Sequence, residues 1–211
     1  MQIKVIEETG KAYANRKKEK DRPAGDLYHT PKSLVWTAED IIKKEFRKKD
    51  ILDPCCGEAA ISEELEKMGH FVILNDLYSG MGDRFNYLKN DIFDDSKYVI
   101  SNPPFSLWDD FIHKSKSHCR KFMYIGRLNY FGTASRNYSG IWKNLKYVLI
   151  FNRYVDYQTP LRDDGLFHVG AMATAWFIWD MKYKGEPKIK ILDVNKYATL
   201  GNFNKRRKIV K

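Results

Sequence analysis

An α/β fold on a doubly wound, mostly parallel sheet is what this sequence predicts, and two observations carry the prediction. Short apolar runs alternate with polar or amphipathic segments, the pattern of successive βα units. The runs also end in polar residues, at Asp53, Asn75-Asp76, Asn90-Asp91 and Asn102. Parallel strands bring such ends to one edge, where open α/β sheets bind their ligands.

The elements follow in order. Residues 50–53 read as a first strand, followed by a helix over about 59–68 that Gly69 closes. Residues 71–75 form a second strand, 87–89 a short third and 97–101 a fourth. A helix over 111–118 leads to a fifth strand at 122–125, and a helix near 135–144 leads to a sixth at 147–151. The seventh, 171–179, follows a loop with no helical pattern, so the last two strands are expected to pair antiparallel. The expectation is a seven-stranded doubly wound sheet with a C-terminal antiparallel hairpin. It occupies one domain, 27–195, between a basic arm at 1–26 and a basic tail at 196–211.

Composition narrows the function. With 43 % hydrophobic and 30 % charged residues, the 211-residue chain has globular rather than disordered character. Three cysteines, two of them adjacent at Cys55 and Cys56, give no legible disulfide framework and suit a reducing compartment. The longest apolar run, 169–179, is too short to span a bilayer, and Glu7 and Glu8 stand where a signal peptide needs apolar residues. A cytoplasmic protein with no membrane association is expected. The formal net charge is +10, and residues 111–155 contain nine Lys or Arg and no Asp or Glu. Aromatic residues interleave with those cations, a composition suited to a polyanion with stackable bases. Arg127, Arg136 and Arg153 are the candidate nucleic-acid contacts, with the polar stretch 132–140 expected to close over a bound base.

After the first strand, Asp53-Pro54-Cys55-Cys56-Gly57 permits a tight turn at Gly57 into a helix whose free amides can face a ligand. Ala59 stands where a second glycine would complete a dinucleotide loop, and no phosphate-loop lysine is present. Asp76 ends the second strand, placed either to accept hydrogen bonds from ribose hydroxyls or to cap a helix. No second Cys/His cluster has zinc spacing, so no metal is expected. The fourth strand stops in Ser101-Asn102-Pro103-Pro104-Phe105. Consecutive prolines end sheet pairing and hold the backbone stiff. Either this is a rigid strand-to-helix turn with Phe105 plugging the core, or it is a rim that offers two acceptors and a ring to a ligand.

Asp-Pro-Cys-Cys-Gly followed by Asn-Pro-Pro-Phe, in this strand order, resembles the S-adenosylmethionine-dependent amino-methyltransferases of the DNA adenine-N6 type. The resemblance covers residues 28 to about 180 and implies a Rossmann-like methyltransferase fold with S-adenosylmethionine as cofactor. It implies that Asp53, Cys55 and Gly57 border the cofactor, that Asp76 holds its ribose and that Asp91 meets its adenine. Tyr28, Thr30 and Pro31 resemble the family's Thr-Pro element near the cofactor's methionine end, with Trp36 shaping that pocket. Asn102, Pro103, Pro104 and Phe105 would then be catalytic, with Asn102 also beside the cofactor. Asn102 and the Pro103 carbonyl would take the protons of an adenine amine, while Phe105 would stack on the base. The implied activity is methylation of adenine in DNA. RNA adenine methylation, or a non-catalytic nucleic-acid-binding subunit that keeps the fold, are the alternatives. Two departures from the family are Ala59 and the lack of room for a separate target-recognition domain.

Overall fold

Along the chain, α1 (Lys32–Thr37) and α2 (Glu39–Phe46) precede β1 (Ile51–Asp53), α3 (Ala60–Lys67), β2 (Val72–Leu74) and β3 (Tyr98–Ser101). There follow α4 (Trp108–His118), β4 (Lys121–Arg127), α5 (Ala134–Tyr138), β5 (Leu145–Phe151), β6 (Thr174–Asp180) and β7 (Lys188–Leu192). The computed structural model describes residues 30–47, 49–90, 98–155, 157, 172–194 and 196–197. The strands form one sheet in the order β2-β1-β3-β4-β6-β5-β7. Every pairing is parallel except the two that β6 makes, with β4 and with β5. The carboxyl ends of six strands therefore share one edge, and the expected antiparallel pairing of β5 with β6 is present.

Each sheet face carries its own core. α3 turns Ile61 and Leu65 inward, and together with Leu34 of α1 and Ile42 and Phe46 of α2 they pack on Ile51, Ile100, Met123 and Trp176. On the other face α4 buries Trp108, Phe111, Ile112 and Ser115, the spacing of a single helical stripe. Leu52, Val99, Phe122, Tyr124 and Phe177 meet that stripe. β6 is buried at every position, as a strand flanked by neighbours and covered on both faces has to be. β7 is the opposite case: an edge strand with exposed Lys188 and Lys190, whose charge discourages pairing with another chain. At the far end of the sheet Glu45 of α2 accepts hydrogen bonds from Lys121 and Lys146, both at 2.7 Å, which ties that helix to β4 and β5. Asp180 completes the cluster with Arg120.

Several elements differ from the sequence expectation. Residues 87–89 are a turn and not a strand. Asn86 accepts the Leu88 amide on its side chain and the Lys89 and Asn90 amides on its carbonyl, which curls the chain away from the sheet. The seven strands are reached instead through β7, which adds parallel to β5. The helix near 135–144 stops at Tyr138, before Gly140 at φ 72°. α4 starts three residues earlier than expected, at Trp108, because that indole anchors the helix: its Nε1 donates to the Ile125 carbonyl at 2.8 Å. Gly126 makes this possible, since a Cβ there would lie 2.5 Å from the Trp108 ring. The arm at 1–26, and the tail beyond residue 197, lie outside the described residues.

Candidate functional site

The polar strand ends meet on the shared edge. Asn102, directly after β3, is buried, and its Nδ2 donates to Thr30 Oγ1 at 3.0 Å across 72 positions of sequence. That bond fixes the amide plane. Its other end, Oδ1, is buried with no hydrogen-bond partner among the described residues. An unsatisfied buried acceptor costs about 1–3 kcal/mol, so this oxygen is placed to take a hydrogen bond from a water or ligand in the site. Pro31 is buried and its carbonyl accepts the Leu34 amide at 2.9 Å, which starts α1 and holds Thr30 in place. Pro104 does the same for α4 by accepting the Leu107 amide at 3.0 Å.

Asp53 lies below this rim and does not line it. Its carboxylate is 0 % exposed and takes hydrogen bonds from Ser101 Oγ at 2.6 Å and Ser62 Oγ at 2.8 Å, joining β1 to β3 and α3. Burial pushes its carboxyl up to about 6, against the downward pull of both hydroxyls and of the Cys55 amide. Asp76 does reach the rim. Its Oδ2 accepts the Gly57 amide at 2.9 Å, and its Oδ1 accepts the amides of Tyr78 and Ser79 at 2.8 Å each. An ionised carboxylate has about four acceptor sites, so roughly one remains for a ligand hydroxyl.

Neighbouring Asn75 went unassigned in the sequence, yet it is the staple of the site. Its Nδ2 donates to the Pro54 and Phe85 carbonyls, and its Oδ1 accepts the Phe85 amide at 2.9 Å. An amide at the end of an otherwise apolar strand was the available signal. The turn above β1 needs two left-handed residues, Gly57 at φ 55° and Ala59 at φ 61°. Ala59 thus adopts, with a Cβ, the backbone that glycine adopts freely.

A cavity of about 500 Å³ opens among these groups. Thr30, Asn102 and Pro104 contribute to its wall, as do Cys55, Cys56 and Gly57 of the first turn and Asp76 to Ser79 after β2. Phe85 to Leu88 supply a further, mostly apolar wall, in which Tyr87 is stacked on Phe111 at 5.4 Å between centroids. Burial and the nearby Asp53 and Asp76 charges push the Cys55 thiol well above its usual range and that of Cys56 up to about 12. Neither thiol is a nucleophile at neutral pH. Among the described residues no group of three His, Cys, Asp or Glu could hold a metal, and no helix is long and apolar enough to cross a membrane. Trp36 is turned away from the cavity, its Nε1 donating to Glu64 at 2.7 Å. Tyr28 and Asp91 lie outside the described residues.

The three arginines stand differently. Arg127 ends β4 and Arg153 follows β5, so both belong to the rim. Arg136 is held by Asp109 through its Nε at 2.7 Å, with its guanidinium 4.0 Å over the Tyr130 ring. The stretch 132–140 is therefore tied down at Arg136, and any closing motion has to break that pair. Phe105 is 6 % exposed, packed against the edge of Tyr157, and carries the Arg127 guanidinium 4.8 Å from its ring centroid.

Among solved structures, this chain is similar to a provisionally assigned RNA methyltransferase from Pyrococcus horikoshii, with 15 % identity and a TM-score of 0.53 over 72 % of this chain and 86 % of that one. It is similar to a type I restriction-modification methyltransferase subunit from Streptococcus thermophilus, with 11 % identity, a TM-score of 0.53, and 86 % and 49 % of the two chains covered. The 23S rRNA methyltransferase ErmE matches with 11 % identity and a TM-score of 0.53 over 75 % and 70 %. The fold is the Rossmann-like methyltransferase fold. No protein-family model and no curated protein matches the sequence. In terms of that fold, the cavity lies at the carboxyl edge beside β1, β2 and β3, where the sheet order reverses and doubly wound proteins hold their ligands.

Proposed function

We propose that this protein is an S-adenosylmethionine-dependent methyltransferase acting on the exocyclic N6 amine of adenine in DNA. The observation that carries the reading is the unpartnered Oδ1 of Asn102, buried at the wall of the cavity in an Asn-Pro-Pro-Phe turn. An acceptor locked in that position asks for a donor from the substrate, and an exocyclic amine supplies one.

The cavity fits the cofactor. Its volume is in the range of small-molecule sites, one acceptor position of Asp76 is left for a ribose hydroxyl, and Tyr87 and Leu88 offer apolar surface to an adenine. Gly57 and Cys55 would border the cofactor, with Thr30 toward its methionine end. When bound, S-adenosylmethionine supplies an electrophilic methyl group on a sulfonium. The chain's own work is on the amine. Asn102 Oδ1 and the Pro103 carbonyl would each accept a hydrogen bond from one of its N–H groups and draw the nitrogen toward tetrahedral geometry, which frees a lone pair otherwise delocalised into the ring. The one proton that the methylated amine sheds would pass to water. Thr30 and the two prolines hold those acceptors before the substrate arrives, so little reorganisation is left for the transition state. Phe105 stacks on the base, and the rim cations Arg127 and Arg153 hold the phosphates.

RNA is the second reading, favoured by the likeness to two proteins named as RNA methyltransferases. Incubating the full chain with methyl-labelled S-adenosylmethionine and separate DNA, RNA and protein pools tests both. Label in DNA recovered as N6-methyladenine is expected. Label in RNA alone moves the proposal to the second reading, and label in neither nucleic acid ends it.

A further inference from the structure

Arg127 is the last residue of β4, and alternation places its side chain on the same sheet face as Ile125, in the core that also contains Phe105 and Tyr157. The guanidinium lies 4.8 Å from the Phe105 ring centroid. Tyr157 closes on the same ring edge-on, at 6.0 Å and 88°. Phe105 is buried within that core, and a nucleobase finds the ring face under Arg127 already covered. The covering group is poorly paired. Arg127 Nε is buried without an acceptor, and no carboxylate pairs with this arginine among the described residues. The ring attracts the cation, but the buried Nε lacks the acceptor that would fix it in place, so the guanidinium rests on Phe105 without being locked there.

We infer that Arg127 is a displaceable cover for Phe105, a positioning residue that yields the ring to the target base and moves its charge onto a neighbouring phosphate. This rests on the reading of Phe105 as the stacking surface for the base. A nucleic acid brings both replacements at once: a flat ring that stacks on Phe105 and an anion that satisfies the guanidinium. A base without a phosphate brings only the first and has to displace the cation at a loss. The arrangement therefore admits nucleotides in a strand in preference to free nucleosides.

The signature is an effect of opposite sign on two ligands. The full chain is saturated with S-adenosylhomocysteine, so that the cofactor cavity is filled, and titrated with adenosine and with a short single-stranded oligodeoxynucleotide containing one adenine. Arg127→Ala is expected to bind adenosine roughly two- to fivefold more tightly, because no cation has to be displaced. It is expected to bind the oligonucleotide more weakly, with the slope of log affinity against log salt reduced by about 0.7. Arg127→Met, which keeps a cover but no charge, is expected to leave adenosine affinity unchanged within about twofold while losing the same salt slope. Weaker binding of both ligands by Arg127→Ala overturns the inference, as does unchanged adenosine affinity. If the alanine variant fails to fold, the methionine variant decides, and an unchanged salt slope overturns the inference. Loss of the sign inversion while the wild type still methylates nucleic acid in an Asn102-dependent way removes this inference alone. Absence of methyl transfer to any nucleic acid removes the function reading with it.

Discussion

Asn102 and Thr30, 72 residues apart, are joined by a 3.0 Å hydrogen bond that turns the free carbonyl end of the Asn102 amide to a position with no protein partner among the described residues. The pair has two consequences that can be separated. Asn102→Ala removes the acceptor and should lower methyl transfer by about a hundredfold or more with near-normal cofactor affinity, as expected for a contact made in the transition state. Thr30→Val keeps the acceptor but leaves Nδ2 buried without a partner, so the amide is free to turn over. It should lower kcat while costing about 1–3 kcal/mol of stability. Asn102→Ala should cost less, because it deletes an unsatisfied buried atom and orphans only the Thr30 hydroxyl, which can rotate to another partner. Urea unfolding beside single-turnover assays checks the contrast. A strongly destabilised Asn102→Ala protein would return this turn to a purely structural role.

Ala59 gives a simpler prediction. At φ 61° its Cβ crowds the backbone in a way glycine avoids, at a cost of roughly 1–2 kcal/mol. Ala59→Gly should therefore stabilise the protein by about 0.5–1 kcal/mol, the remainder being returned as greater freedom of the unfolded chain. A thermal midpoint that falls would show that the methyl group's own packing outweighs the strain, since Ala59 is buried.

These two residues also mark what the sequence could and could not reveal. Strand ends were legible because polar residues behind apolar runs are unusual, which located Asp53, Asp76 and Asn102 on neighbouring strands. Their division of labour was not legible. Asp53 is spent on Ser62 and Ser101, 9 and 48 positions away, and only the packing of α3 on the sheet and the pairing of β3 with β1 bring those hydroxyls to it. The turn at 87–89 read as a strand because Tyr87 and Leu88 are apolar, but their partners are Phe111 and Ser115 of α4 and the cavity rather than a sheet neighbour. β7 was missed because its alternation of Lys and Ile leaves even its isoleucines exposed, with Leu192 at its end packed against the core.

The buried Asp53 predicts a pH dependence. Its folded-state value is raised to about 6, whereas an unfolded chain titrates near 3.9. Between those values the native state holds a proton that the unfolded state has released, so this group's contribution to stability falls as pH rises from about 4 to about 6. Above that window the cost is complete, on the order of 3 kcal/mol for a shift of about two units. Asp53→Asn cannot titrate. The difference in unfolding free energy, wild type minus variant, should drop by about that amount between pH 4 and pH 7. A difference that is flat across this range would mean that Asp53 is ionised at both ends, with its hydroxyl donors stronger than the burial that opposes them.

The acid-free segment yields a prediction in which the three arginines no longer count alike. Arg127 and Arg153 stand on the rim with no carboxylate partner among the described residues, whereas Arg136 is paired with Asp109 and lies over Tyr130. Each phosphate contact contributes about 0.9 to the slope of log affinity against log salt on duplex DNA. Replacing Arg127 and Arg153 together by glutamine should thus flatten the slope by about two. Arg136→Gln should leave the slope near its wild-type value and instead cost about 1 kcal/mol of stability, through the lost ion pair and ring contact. Measured by fluorescence anisotropy at several salt concentrations beside urea unfolding, the two outcomes are independent. A slope that falls with Arg136→Gln at unchanged stability would mean that its pairing with Asp109 opens on binding and that the stretch 132–140 does close onto the nucleic acid.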